Sequence, residues 1–267
     1  MSAFTQALGD GAVVAKRNLI KIKRVPDLIV FSTLSPIMFV LLFAYVFGGS
    51  ISIPGMDYRE FLMAGIFAQT VVFGATITGA GLAEDIQKGV IDRFRSLPMA
   101  RSAVLIGRTT SDLANNVIVI LVMSVTGLIV GWRIHSSPLE ALAGFALLLL
   151  FAYAVSWGMA IVGLMVRSPE VFNNASFIAI FPLTFIANTF VQESNLPGPL
   201  KAFAEWNPVS AVTAAARQLF GNTNPMAPAP SAWPLQHPVL MTLIWVVVFL
   251  LIFVPLAIRQ YRKAVSR

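Results

Sequence analysis

The sequence predicts an all-α membrane protein with six transmembrane helices. Of its 267 residues, 57% are hydrophobic and only 12% are charged, and the mean hydropathy is +0.78. A soluble domain carries about 25% charged residues, so water is not the main solvent of this chain. Because a bilayer core takes roughly 20 apolar residues per helix, we expect a single transmembrane domain over residues 1–267 and no separate soluble domain.

Six apolar stretches are long enough to cross a bilayer. They lie at about residues 28–48, 61–82, 112–131, 139–166, 172–191 and 239–258. Pro36 and Pro182 fall inside the first and fifth stretches. In a membrane, neighbouring helices re-satisfy the backbone groups that a proline frees, so we expect kinks at these positions rather than helix ends.

The positive charges predict the orientation. If the N-terminus is cytoplasmic, all but four of the 19 Lys and Arg residues fall in cytoplasmic segments. The four exceptions are Arg59, Arg133, Lys201 and Arg217. This asymmetry follows the positive-inside rule, which predicts that both termini are cytoplasmic. The net charge of +7 is therefore a topology signal that also favours anionic lipid headgroups, and it does not predict nucleic-acid binding.

Two segments outside the spans are predicted to form helices on the cytoplasmic side. Residues 1–26 are predicted to form an amphipathic helix in the membrane interface, because apolar residues recur there at helical spacing opposite a charged face. Residues 83–108 form a cytoplasmic loop in which a charged helix over 84–97 carries one apolar stripe and ends before Pro98. Such a helix is suited to a partner's groove. The alternative is a solvated basic loop that serves only topology.

The predicted extracytoplasmic segment, residues 192–238, contains a third helix. Asn207 and Pro208 mark a helix start and Gly221 a helix stop. We expect this helix to be interfacial or re-entrant. The prolines that follow predict a stiff loop without helix.

Polar side chains occur in the second and fifth spans. The second contains Gln69, Thr70, Thr76 and Thr78, and the fifth contains Asn173, Asn174 and Asn188. Taken singly, each favours a hydrogen bond between helices, and Gly74, Gly79 and Gly81 fit the same close packing. Taken together, the two helices favour a translocation path lined by phenylalanine and a few polar groups.

The sequence lacks residues that several functional classes require. No P-loop motif occurs, so an ATP-driven function needs an ATPase on another subunit. No ionisable residue lies in the middle of a predicted span, which argues against proton antiport. The chain has no cysteine, and His135 and His237 lack metal-ligand spacing, so no metal site and no catalytic residue are predicted.

Two motifs resemble the type-2 ABC exporter permeases, in particular the daunorubicin-resistance type found beside a separate ATPase subunit. The first is the loop pattern Asp85, Lys88-Gly89, Asp92-Arg93 and Pro98, continued by Arg101, Gly107 and Arg108. Gln87 departs from the charged residue that is common at its position. The second is the outer segment 196–220, with its Asn207-Pro208 and the later Arg217.

The resemblance implies a permease without enzymatic activity in a bacterial plasma membrane. Its partners would be an ABC ATPase subunit, which binds ATP and Mg, and a second copy or a related permease. The loop would couple to the ATPase through Asp85, Lys88, Gly89, Asp92, Arg93, Arg95 and Pro98. The second and fifth spans would line the path, with Phe67, Gln69, Phe73, Phe181, Phe185 and Asn188 as the candidate residues.

The uncharged, aromatic-rich interior predicts a hydrophobic or amphipathic cargo, such as a drug, a lipid or a glycolipid. Two other functions remain open from the sequence. One is an ATP-independent channel or carrier, and the other is a subunit that anchors a soluble partner in the membrane.

Overall fold

The computed structural model describes residues 26–47, 55–91, 102–190, 196–226 and 229–265, together with Ile53 and several positions between 9 and 20. The described part of the chain is mostly helical and contains no strand beyond the isolated bridge Ile53–Met56. The predicted all-α fold is therefore confirmed. The described positions between 9 and 20 are helical, and the rest of the predicted N-terminal helix lies outside the described residues.

A helix is found at each of the six predicted stretches. These helices are α1 (Pro26–Leu41, continued by a π-helical turn Leu42–Phe47), α2 and α3 (Tyr58–Gly74 and Thr76–Gln87), α4 (Ala103–Val130), α5 (Pro138–Met165), α6 (Pro169–Phe185) and α10 (Pro238–Val265). Four segments of the described chain are long and apolar enough to cross a membrane: Tyr58–Gln87, Ala103–Val130, Pro138–Met165 and Pro238–Ala264. The segments at the first and fifth stretches are shorter.

The helix of the second stretch is interrupted at Ala75, between α2 and α3. There the Thr76 hydroxyl donates to the Phe73 carbonyl oxygen at 2.6 Å, a side-chain bond of the kind that bends helices. α3 then continues to Gln87. The predicted continuous helix over 84–97 is therefore wrong at its start, because residues 84–87 belong to α3.

The C-terminal end of α3 is set by a glycine. Lys88 caps the helix, and Gly89 has φ +64°, a left-handed conformation that residues with a Cβ rarely adopt. The Gly89 N–H donates to the Ile86 carbonyl oxygen at 3.0 Å, and the chain is helical again at Val90 and Ile91. The turn thus separates Leu82 and Ile86 of the predicted stripe from Val90, and the rest of the stripe lies outside the described residues.

Two predicted span limits differ from the structure. α4 begins at Ala103 rather than at 112, because its apolar first turn is buried in one cluster with Leu82 of α3 and Trp157 of α5. The polar residues that follow bond to α3. α6 ends at Phe185 rather than at 191, and residues 186–190 form a turn. The Asn207 amide donates to the carbonyl oxygens of Leu183 and Ile186 at 2.7 and 3.0 Å, so the end of α6 is satisfied by the cap of another helix.

The described part of the predicted extracytoplasmic segment 192–238 contains the helices α7 (Gly198–Trp206), α8 (Pro208–Phe220) and α9 (Trp233–Gln236). The predicted start at Asn207 and stop at Gly221 are confirmed for α8: the Asn207 side chain accepts from the Val209 N–H, and Gly221 has φ +72°. α8 is largely buried and packs against α2, α5 and α10. The prediction of no helix after it is wrong for α9, since a proline is tolerated in a first helical turn.

Candidate functional site

A cavity of about 560 Å³ lies between α1, α2, α3, α4 and α6. Its walls are mainly apolar and include five phenylalanines, of which Phe177, Phe181 and Phe185 are spaced one helical turn apart on α6. Their ring centroids are 4.9 Å apart for Phe177 and Phe181 and 4.2 Å apart for Phe181 and Phe185. Phe39 and Phe73 complete the aromatic lining. Phe177 and Phe181 are 53% and 39% exposed, so the cavity opens on the surface of the chain.

Six uncharged polar side chains also line the cavity. They are Ser35, Gln69, Thr70, Thr76, Asn115 and Asn116. Asn116 Oδ1 is buried and has no hydrogen-bond partner within the described residues. It lies beside Gly74, where a Cβ would come within 2.0 Å of that oxygen. A buried amide oxygen without a partner costs about 1 to 3 kcal/mol, so Asn116 is a polar group at the cavity wall whose hydrogen bonding is incomplete among the described residues.

Four of the six residues predicted for the path line this one cavity: Gln69, Phe73, Phe181 and Phe185. Phe67 and Asn188 do not. Phe67 is fully buried in a closed group of rings with Trp132, Phe145 and Phe220 at centroid distances of 5.3 to 5.9 Å. Phe67 therefore belongs to the core, because α2 turns it toward α5 and α8 rather than toward α6.

Asn188 lies in the turn after α6 and lines a second cavity of about 600 Å³ near the outer helices. Its backbone N–H donates to the Ser210 hydroxyl at 3.1 Å. Its carbonyl oxygen accepts from the Arg217 guanidinium at 2.7 Å. This residue thus ties the end of α6 to α8.

Arg217 is the buried cation of the outer region, with 7% exposure. Besides Asn188, its guanidinium donates to the carbonyl oxygens of Phe61 at 3.0 Å and Thr189 at 3.1 Å. It also lies 3.6 Å from the centroid of the Phe61 ring, a cation–π geometry. Arg217 therefore joins α2, the turn after α6 and α8 at one point.

The sequence did not identify the contribution of α1 and α4 to the cavity. α1 supplies Ser35, Pro36 and Phe39, and α4 supplies Asn115, Asn116 and Val119. The adjacent asparagines Asn115 and Asn116 were a usable signal, because amides in a span need a partner or a polar ligand. Nothing in the local sequence of α1 distinguishes its cavity face from its other faces.

Three of the seven predicted coupling residues are described. Asp85 lies in the last turns of α3, and Lys88 and Gly89 form its end. Glu84 forms an ion pair with Lys88 one turn away, and this hydrogen bond raises the pKa of the exposed Lys88 above its usual value. Asp92, Arg93, Arg95 and Pro98 lie outside the described residues.

Two ionic contacts lie near the ends of the spans. Arg108 and Asp112 lie in the first half of the candidate span Ala103–Val130, with side chains only 12% and 6% exposed. His135 has a carboxylate neighbour, since its Nε2 lies 2.7 Å from Glu60 Oε1. In the part of the chain that the structure describes, no three His, Asp or Glu residues come together as metal ligands.

The family model of the ABC-2 type transporters matches residues 12–220. A daunorubicin resistance ABC transporter permease protein of Streptomyces coeruleorubidus, DrrB1, is 33% identical over 207 residues, which cover 78% of this chain and 73% of that protein. A doxorubicin resistance ABC transporter permease protein of Mycobacterium tuberculosis, DrrB, is 28% identical over 206 residues, which cover 77% and 70%. A probable doxorubicin resistance permease of the same organism, DrrC, is 23% identical over 231 residues, which cover 86% and 79%. This chain belongs to the ABC-2 type transporter family and is a membrane permease subunit of an ABC transporter, whose ATPase is a separate subunit.

Proposed function

We propose that the 560 Å³ cavity is the cargo site of this permease, and that the chain moves a hydrophobic or amphipathic compound out of the cytoplasm or the inner leaflet. The observation that carries this proposal is the row of closely spaced phenylalanine rings on α6, which lines the same cavity as the amides of α2 and α4. Small-molecule sites commonly have volumes of about 300 to 1,000 Å³ and mostly apolar walls with a few polar groups.

Among the cargo classes, a planar aromatic drug fits this lining best. Stacked phenylalanines offer flat faces to an aromatic ring, and uncharged amides offer hydrogen bonds without the desolvation cost of a charge. The similar permeases that are named for daunorubicin and doxorubicin resistance support this choice. A lipid or a glycolipid is the competing class.

We propose that the chain crosses a bacterial plasma membrane six times and that both of its termini are cytoplasmic. The charge asymmetry of the sequence supports the orientation. The continuous helical segment Pro26–Phe47 and the close tie of α6 to α8 support spans at the first and fifth stretches. In this arrangement, α8 is re-entrant and α7 lies in the outer interface.

The cytoplasmic loop after α3 is the proposed contact with the ATPase, which binds ATP and Mg. Its charged residues, the turn at Gly89 and the resemblance of its motif support this role. A second copy of the chain or a related permease is the proposed membrane partner, because the cavity opens on the surface of the chain beside the exposed Phe177 and Phe181.

The test is transport by the chain reconstituted into proteoliposomes with and without its cognate ATPase, with doxorubicin as the probe. We expect ATP-dependent accumulation of doxorubicin only when both subunits are present, together with drug-stimulated ATP hydrolysis. Transport by the chain alone would indicate an ATP-independent carrier. Stable assembly without transport of doxorubicin or of a fluorescent lipid would indicate an anchoring subunit.

A further inference from the structure

The buried ion pair of α4 lies at the contact between α4 and α3. Asp112 Oδ2 accepts a hydrogen bond from the Thr78 hydroxyl at 2.7 Å. The same oxygen lies 3.4 Å from Arg108 Nε, and Arg108 Nη2 donates to the Ile77 carbonyl oxygen at 3.3 Å. The pair therefore bonds to both the side chain and the backbone of α3.

The packing of α3 is shaped around this pair. A Cβ at Gly81 would lie 1.5 Å from Arg108 Nη2, so a larger residue there would displace the guanidinium from its present position against α3. Charged groups in a span are costly unless they are paired, and they commonly mark a functional element. Uncharged side chains would also join two helices, so a packing role alone does not account for this pair.

The position of α3 suggests what the pair does. At one end, α3 stops at Lys88 and Gly89 in the proposed ATPase contact. At the other end, Thr76 and Ile77 line the cavity. Between these ends, α3 lies against α5 at a close contact of two glycines, since a Cβ at Gly163 would lie 2.2 Å from the Gly79 carbonyl oxygen.

α4 carries the opposite cavity wall on the same face as the ion pair. Asn115 and Asn116 follow Asp112 by three and four residues, which places all three on one side of the helix. Both asparagines line the cavity. A displacement of α3 that is passed to Asp112 would therefore reach the amides that face the cargo site.

We propose that Asp112, held by Arg108 and bonded to Thr78, is a positioning residue that makes α3 and α4 move together. Movement of the loop by the ATPase then reaches the cavity wall on α4 through this contact. The inference rests on the proposed function, because it assumes that the loop after α3 contacts the ATPase.

Single-cysteine reporters test this inference, because the chain has no cysteine of its own. Ile77→Cys reports on the cavity end of α3 and Val119→Cys on the cavity wall of α4. The reporters are placed in the chain with its cognate ATPase in nanodiscs. Maleimide labelling rates are then compared without nucleotide and after trapping with ATP and vanadate.

Thr78→Val removes the hydroxyl but leaves the ion pair in place, and Asp112→Asn removes the carboxylate. Thr78→Ser keeps the hydroxyl and is the first control. Thr109→Val is the second control, because Thr109 is a buried threonine of α4 whose hydroxyl, among the described residues, bonds to carbonyl oxygens of its own helix, those of Leu105 and Ile106.

We expect trapping to change the labelling of both reporters in the parent and in both controls. In Thr78→Val and Asp112→Asn, the change persists at position 77 and is lost at 119. A change at 119 that survives in Thr78→Val, or that Thr109→Val also abolishes, would overturn the inference. Absence of any change at 77 in the parent would overturn the proposed ATPase contact as well.

Discussion

Two groups of aromatic side chains each include a phenylalanine of α2. The rings of one group pack closely together, and the rings of the other border an open cavity. The ring of Phe67 contacts the rings of Trp132, Phe145 and Phe220. We call these four residues the closed cluster. Phe73, six residues along the same helix, faces the phenylalanines of α6 across the open cavity.

Residue type alone therefore does not distinguish a core from a ligand site. Both groups are rich in phenylalanine and both lie in spans. In the closed cluster Phe67, Trp132 and Phe220 are fully buried and Phe145 is partly buried, and the Trp132 indole N–H donates to Asn222 Oδ1 at 2.8 Å. The cavity instead keeps exposed ring faces and the buried Asn116 oxygen without a partner among the described residues.

The largest expected effect separates the two groups by stability. Phe67→Ala opens a void among buried rings and is expected to lower the free energy of unfolding by about 3 to 5 kcal/mol. Phe73→Ala removes a ring that already borders a cavity, so its loss of stability is smaller. Thermal unfolding of both variants in nanodiscs checks the comparison. Equal losses would mean that the cavity is as closed as the core.

Arg217→Lys tests whether the tight packing extends to the outer end of the molecule. Lysine has a single ammonium in place of the planar guanidinium and does not reproduce its three carbonyl contacts and ring stacking. Since hydrogen bonds to charged groups are worth about 1.5 to 3 kcal/mol, we expect a loss of stability of about 3 kcal/mol. An unchanged midpoint in thermal unfolding would contradict this role.

Gly74→Ala sharpens the boundary between the two groups. Its Cβ would meet Asn116 Oδ1, so we expect overpacking to cost about 1 to 3 kcal/mol and to lower drug-stimulated ATP hydrolysis. Gly198→Ala is the matched control, because a Cβ there meets nothing within 4 Å. If both variants behave alike in unfolding and in ATP hydrolysis, the close approach of α2 and α4 is not required.

Phe181→Ala is expected to have the smallest effect of these substitutions. It should lower the affinity for cargo rather than the stability of the protein. Removing one stacking partner costs about 1 kcal/mol, which corresponds to a roughly fivefold weaker apparent affinity for doxorubicin. Ile178→Ala on the same helix is the control, because Ile178 is 74% exposed and does not line the cavity. Drug-stimulated ATP hydrolysis at varied doxorubicin concentrations measures both.

The long helices and the two ends of α8 could be predicted because their signals in the sequence are local. The apolar stretches placed every long helix, and Asn207, Pro208 and Gly221 placed both ends of α8. The limits of α4 and α6 could not be predicted, since they depend on distant partners. Asp112 is tolerated in α4 because Thr78 and Arg108 surround it, and the end of α6 is held by Asn207.

The cavity itself was only partly predictable. Polar residues in α2 pointed to Gln69, but Phe67 and Phe73 could not be told apart without knowing which neighbours α2 faces. The sequence also contained no signal for Phe39 of α1. Contacts between distant segments, rather than local pattern, decide which phenylalanines close into a core and which remain open.

The most direct test of the account is protection of the cavity by cargo. Single cysteines at positions 181 and 178, in Phe181→Cys and Ile178→Cys, are labelled with a maleimide in nanodiscs at rising doxorubicin concentrations. We expect doxorubicin to slow labelling at position 181 in a saturable way and to leave the labelling rate at position 178 unchanged. Equal labelling at 181 with and without the drug, while ATP hydrolysis is still stimulated by it, would contradict the cavity as the cargo site.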